Sequence, residues 1–138
     1  MGYLKNELSE RNKYHLSKHR YLELKHFCLQ YPEWKERLQE INDICAVDPG
    51  KQVSGQISNE TERIAIERTV LKNKIELVER VAMETDGSLW FYILQGVTEE
   101  WTYTYLRNMM DIPCGKNMYY DRYRRFFWLL SRNLQGLL

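Results

Sequence analysis

Residues 102–134 read TYTYLRNMM, then DIPCG, then KNMYYDRYRRFFWLLSRNL. Thr102 is a good helix N-cap, because its hydroxyl can accept from an early backbone amide. The first nine residues then read as a short helix from Thr102 to Met110. Asp111 to Gly115 contains a proline and a glycine and reads as a tight turn. From Lys116 to Leu134 the pattern is helical again. Tyr119, Tyr123, Phe126, Leu130 and Leu134 recur at four, three, four and four, the spacing of one helix face. That face packs inward, with Phe127 and Leu129 widening it. Lys116, Asn117, Tyr120, Asp121 and Arg124 are expected on the opposite face, with Arg122, Arg125 and Arg132 on its flanks. Two helices joined by a short glycine-containing turn have the outline of a helix-turn-helix.

Working outward, the rest of the chain is also helical in pattern. A first helix is expected from about Leu4 to Gln30, with Leu16, Tyr21, Leu24, Phe27 and Cys28 on one face. Pro32 suits the first turn of the next helix, where its missing N–H costs nothing. That helix carries Trp34, Leu38, Ile41 and Cys45 as an amphipathic stripe. Residues 47–58 are rich in Gly, Ser, Pro and Asp and read as a loop or linker. Asn59 with Glu62 resembles a capping box. The helix it opens runs to about Thr85, with Ile64, Leu71, Ile75, Val78 and Ala82 on its inner face. Arg68, Lys72 and Glu76 mark the exposed side. Asp86-Gly87 stops it. A short apolar helix from Leu89 to Gln95 follows, closed by Gly96. The expected fold is all-α, a helical bundle with a C-terminal helix-turn-helix. The expected organisation is an N-terminal helical pair (1–46), a linker (47–58) and a helical domain (59–138).

The chain has 138 residues, 43% hydrophobic and 28% charged, with a net charge of +1. That suits a globular protein with a real core. The charge is unevenly placed. Residues 1–26 hold six Lys/Arg against three acids, residues 33–86 eight against twelve, and residues 116–132 five against Asp121 alone. Basic ends around an acidic middle suit a surface for polyanions. Cys28, Cys45 and Cys114 are odd in number and far apart, unlike a disulfide framework. The polar N-terminus shows no signal peptide, and no stretch has the apolar length of a membrane span. The expected location is the cytoplasm.

The second helix of a helix-turn-helix can enter the major groove of DNA and present its first turns to base edges. Asn there can pair with adenine and Arg with guanine, each through two hydrogen bonds. Lys and the flanking arginines suit phosphates. Candidate DNA-binding residues are therefore Lys116, Asn117, Tyr120, Asp121, Arg122, Arg124, Arg125 and Arg132. Lys13, Lys18, Arg20 and Lys25, with Arg11 and the three histidines, make a secondary basic surface for nucleic acid or an acidic protein. His15 and His19 are spaced i, i+4, with His26 and Cys28 further along. This is not a standard zinc pattern, so no metal or cofactor is expected. No nucleophile motif, Gly-rich phosphate loop or paired carboxylates occur, so no enzymatic activity is expected.

The turn 111–115 and the run from Tyr119 to Leu130 together resemble the small phage and prophage regulators of the RinA/ArpU type. Residues 16–25, 58–63 and 102–106 are similar to that group as well, so the resemblance spans most of the chain. It implies a late-gene transcription regulator with a helix-turn-helix like region 4 of sigma factors, acting on double-stranded DNA in a bacterial host cell. Host RNA polymerase is an implied partner, and a homodimer suits a short recognition helix. Gly115 departs from the group, which often has a capping Ser there. Glycine fills that position at a cost of a few tenths of a kcal/mol. A rival expectation of another class is a phage-encoded interaction protein that inhibits a host nucleic-acid-handling complex, such as a defence nuclease. It would use Trp34, Trp90, Trp101, Tyr103, Tyr105 and Trp128 as protein hot spots.

Overall fold

The computed structural model describes residues 13–47 and 59–135, which form six α-helices and no strand. These are α1 (Lys18–Leu29), α2 (Tyr31–Val47), α3 (Asn59–Thr85), α4 (Trp90–Glu99), α5 (Tyr103–Met110) and α6 (Lys116–Asn133). The all-α helical bundle expected from the periodicity is what the chain builds. The linker expected at 47–58 lies outside the described residues, apart from Val47 at the end of α2. The part of the first expected helix before Lys13 lies outside them too. Among the described residues that helix begins only at Lys18. The Ser17 hydroxyl accepts from the Arg20 amide at 3.2 Å and caps it. A capping serine ends the run because its own backbone is extended.

The helices group into two compact units, cut differently from the expected order along the chain. One unit holds residues 31–77, that is α2 and most of α3. The other holds, of the described residues, 13–30 and 78–135. Helix α1 is counted with the second because it packs on α4 and α6. Its Tyr21 meets Phe127 edge-to-face at 5.2 Å, and its hydroxyl shares a hydrogen bond with that of Tyr123. A contact a hundred residues apart in sequence leaves no mark on local periodicity.

In the unit of residues 31–77, Tyr31, Trp34, Ile41, Leu71 and Ile75 are buried. The Arg37 guanidinium forms two hydrogen bonds to Glu67, both 2.9 Å, and a third to Glu40. The bond from Arg37 holds the Glu67 carboxyl below its ordinary range. Lys74 lies over the Trp34 ring at 5.5 Å.

In the other unit the predicted inner face of α6 is the core. Tyr119, Tyr123, Phe126, Phe127, Leu130 and Leu134 are all buried, and Leu129 is half-buried. Val78, Val81 and Ala82 of α3, Ile93, Leu94 and Val97 of α4, and Leu106 of α5 complete it. Helix α4 corrects one expectation. It runs through Gly96 instead of stopping there, and ends at Glu100 in the left-handed conformation (φ 58°). Gly96 serves close packing. A Cβ built on it would lie 2.0 Å from the Tyr119 hydroxyl oxygen, so only glycine lets α6 approach α4 this closely.

Candidate nucleic-acid interface

Helix α5 starts where expected. The Thr102 hydroxyl accepts from the Tyr105 amide at 3.2 Å. It ends at Asp111, whose backbone is left-handed (φ 52°) and whose amide donates to the Leu106 carbonyl. The Ile112 amide donates to the same carbonyl at 3.2 Å, and its side chain is buried. The Tyr103 hydroxyl donates to the Cys114 carbonyl at 2.7 Å. The five-residue connection is therefore held at both ends, and α6 leaves it in a fixed direction. Gly115 occupies the N-cap of α6 in extended conformation (φ −80°, ψ 169°) and supplies no side-chain cap. The first amides of α6 thus point outward without a side-chain acceptor, the arrangement that favours anions at helix N-termini.

Burial sorts the expected site residues. Lys116 and Asn117 are exposed on the first turn of α6, and Tyr120 and Asp121 are half-buried on the second. Arg132 is exposed at the other end, with its guanidinium 4.7 Å from the centre of the Trp128 ring. Arg125 is half-buried, and no hydrogen bond or ion pair to it is seen among the described residues.

Two arginines are engaged differently from the expected surface role. Arg122 donates from Nε to Asp86 at 2.9 Å and pairs with Asp121. Asp86 sits in the turn after α3, where its other oxygen accepts from the Ser88 amide, the Ser88 hydroxyl and the Leu89 amide. Burial alone would raise the Asp86 carboxyl. The hydrogen bonds from Ser88, Arg122 and the Ser88 and Leu89 amides outweigh it and bring the carboxyl down to about 2. Arg122 and Asp121 are thus part of a clamp that ties the middle of α6 to the α3–α4 turn. Arg124 does not lie on the face opposite the core. It is half-buried beside Tyr14, Leu16, Tyr21 and Phe127, and its Nε is buried without a hydrogen-bond partner. The reason is phase. The buried stripe includes Phe127, which turns the core toward Arg124. The outer stripe is therefore Asn117, Asp121, Arg125, Trp128 and Arg132, at four, four, three and four.

The secondary basic surface is similarly divided. Lys18 and Lys13 are exposed, the latter over the Tyr14 ring at 5.0 Å. Lys25 pairs with Glu100 at 3.4 Å. Arg20 hydrogen-bonds to the Ser131 hydroxyl (3.0 Å) and carbonyl (3.1 Å) and pairs with Glu23, so it joins α1 to α6. Arg11 lies outside the described residues. His19 and His26 are exposed, whereas Cys28 is fully buried and burial pushes its thiol far up. No cluster of three or more metal-ligating side chains occurs among the described residues.

Of the aromatics expected as protein hot spots, Trp34 and Tyr103 are core. Tyr105 is exposed, and so are Met109 and Met118 around the same connection. Met118 was missed in the sequence, although it stands off the inner stripe, which is the signal for an outward apolar side chain. Also missed was a groove of about 430 Å³ lined by His15, Leu16, Arg20, Trp128, Ser131, Arg132 and Gln135. No helix of the described residues is long and apolar enough to cross a membrane. No family model matches the chain, and no similarity was found to a curated protein or to a solved structure.

Proposed function

We propose that the chain is a sequence-specific, double-stranded-DNA-binding transcriptional regulator that reads the major groove with the N-terminal turns of α6, as a helix-turn-helix formed by α5, the 111–115 turn and α6. One observation carries the reading. The connection before α6 is pinned at both ends, yet the first turn of α6 is open, with Lys116, Asn117 and Met118 exposed. A rigid helix with a free polar first turn is what base readout requires. Asn117 takes the role of base reader, Met118 suits a thymine methyl, and Lys116 and Arg125 meet phosphates. Arg122 leaves the reading set because Asp86 and Asp121 engage it, and Arg125 replaces Arg124. The phage or prophage origin and the link to transcription rest on the resemblance to the RinA/ArpU type.

The test is fluorescence anisotropy with duplex DNA over a range of salt concentrations. Each phosphate neutralised contributes roughly −0.9 to the slope of log K against log salt. Lys116, Arg125 and Arg132 together set the α6 contribution at about −3 by that rule. A Lys116→Ala/Arg125→Ala variant is expected to lose about two-thirds of it. On a selected site, Asn117→Ala should cost roughly 1–3 kcal/mol and relax sequence preference. Salt-insensitive or undetectable binding at low salt would overturn the proposal. It would favour the rival reading of a protein-binding inhibitor, whose surface would be Tyr105, Met109 and Met118 around the same turn.

A further inference from the structure

The groove at the far end of α6 is built apart from the DNA-reading turn. Asn117 and Arg132 are separated by about 22 Å along the helix at 1.5 Å per residue. One wall is the segment before α1, with His15 and Leu16. The other is the last turns of α6, with Trp128, Ser131 and Arg132, and Gln135 lines the groove as well. At about 430 Å³ the groove is of the size that holds a small ligand. Among the described residues its lining has three basic side chains and no carboxylate. The three are not equivalent. Arg20 is spent on Ser131 and Glu23, and fixes the spacing of the two walls. The Arg132 side chain has no hydrogen bond or ion pair among the described residues. Its guanidinium lies over the Trp128 ring, 4.7 Å from the centroid, and the Trp128 ring is itself 5.6 Å from that of Tyr14. A guanidinium placed over a ring, with no side-chain hydrogen bond of its own, has N–H donors available and needs little ordering to bind an anion through two hydrogen bonds. His15 adds a ring whose Nδ1 is buried without a partner. A buried nitrogen without a hydrogen bond is uncommon and gives the ring a reason to turn toward an oxygen arriving in the groove.

We propose that this groove is a phosphate-ester site in which Arg132, held by Trp128, is the principal ligand and His15 the second. The phosphate can belong to a free nucleotide or to the backbone of a nucleic-acid strand. Both offer the same oxygens. The inference uses neither Lys116 nor Asn117, and shares with the major-groove reading only Arg132, which that reading counts as a phosphate contact.

The experiment follows the indole N–H signals of the tryptophans by NMR in the full-length chain, with Trp128 assigned from a Trp128→Phe variant. Inorganic phosphate, AMP, a 5′-phosphorylated single-stranded hexanucleotide and a random duplex are titrated separately, at constant ionic strength set with chloride. A saturable shift of the Trp128 signal is expected, weakened at least tenfold in Arg132→Gln and partly retained in Arg132→Lys. Thermal melting checks the fold of both variants, and Arg132 is exposed, so both should fold. Saturation by AMP identifies a free phosphate ester as the ligand, and saturation by inorganic phosphate shows that the phosphate group alone is recognised. Saturation by the oligonucleotides alone identifies a strand backbone. Lys116→Ala/Asn117→Ala should leave the response to inorganic phosphate and AMP unchanged, which separates this site from the DNA-reading turn. The proposal is overturned if no phosphate probe shifts Trp128, if Arg132→Gln responds as the wild type does, or if chloride alone reproduces the shift.

Discussion

Replacing Gly96 with alanine reports directly on how α6 is seated against α4. In an ordinary helix interior the change stabilises by about 0.5–1 kcal/mol, because glycine loses more backbone freedom on folding. Here the new methyl would sit 2.0 Å from the Tyr119 hydroxyl oxygen and 3.3 Å from Cζ. Relief needs a movement of roughly 1.5 Å to reach ordinary contact distance. Tyr119 is only 2% exposed, and the rings of Tyr103, Tyr120 and Tyr123 lie 5.9, 5.2 and 6.1 Å from it. It cannot swing aside without disturbing them. Overpacking of this kind costs about 1–3 kcal/mol. After subtracting the helix gain, Gly96→Ala is expected to destabilise by about 1–2 kcal/mol. With a urea slope of about 1–3 kcal/mol per molar, the midpoint should fall by roughly 0.5–1 M. The decisive comparison is the double-mutant cycle with Tyr119→Phe, read by urea unfolding followed by circular dichroism. Removing the oxygen leaves Cζ as the nearest atom, so the double variant should be more stable than the two single losses predict, by about 1 kcal/mol or more. A higher midpoint for Gly96→Ala, or strict additivity in the cycle, would refute the close-packing role of Gly96.

Two further outcomes follow from the same geometry. The Asp86 carboxyl is lowered from 3.8 to about 2 in the fold, so its stabilisation is present above the unfolded value and is lost as pH falls toward 2. At about 1.4 kcal/mol per unit, discounted for solvent screening, the loss between pH 5 and 2 should be on the order of 1–2 kcal/mol. Asp86→Asn should remove that part of the pH dependence in acid-unfolding curves, and an unchanged curve would count against the clamp. Gly115→Ser places a capping hydroxyl in an extended N-cap where an added Cβ meets nothing within 4 Å. It should raise stability by a few tenths to about 1 kcal/mol, and a lower melting temperature would show that the cap geometry is misread.

What the sequence makes legible is what depends on neighbours three and four residues away. The aromatic stripe of α6, the Thr102 cap, Pro32 at the start of α2 and the end of α3 before Asp86 all follow from local spacing and local hydrogen bonding. The misses have non-local causes. Gly96 looks like a helix stop because glycine commonly ends helices, yet its reason is a tyrosine on another helix. The true stop, Glu100, is a left-handed non-glycine residue with no distinguishing mark. Ser17 was a legible cap, masked by apolar residues on both sides that read as one helix. The grouping of α1 with α4 and α6 depends on pairs such as Tyr21 with Phe127, which no periodicity encodes.

The difference between Arg124 and Arg125 shows how finely function depends on phase. Both are half-buried and adjacent, and composition treats them alike. With Tyr119, Tyr123, Phe126 and Leu130 alone as the core, Arg124 would be nearly as outward as Arg125. Once Phe127 joins the core against Tyr21, the axis of burial turns. Arg124 then lies along Tyr14 and Leu16, while Arg125 falls in line with Asn117, Asp121, Trp128 and Arg132. The five cations of α6 therefore have distinct duties. Arg122 holds the helix to the α3–α4 turn, and Arg124 packs at its flank. Lys116, Arg125 and Arg132 stand at the start, middle and end of one helix without an ion pair among the described residues, and are the cations that the proposal assigns to anions. The same packing that uses two arginines to orient α6 leaves the other three without an ion pair among the described residues, and this separation is what the proposed polyanion surface rests on.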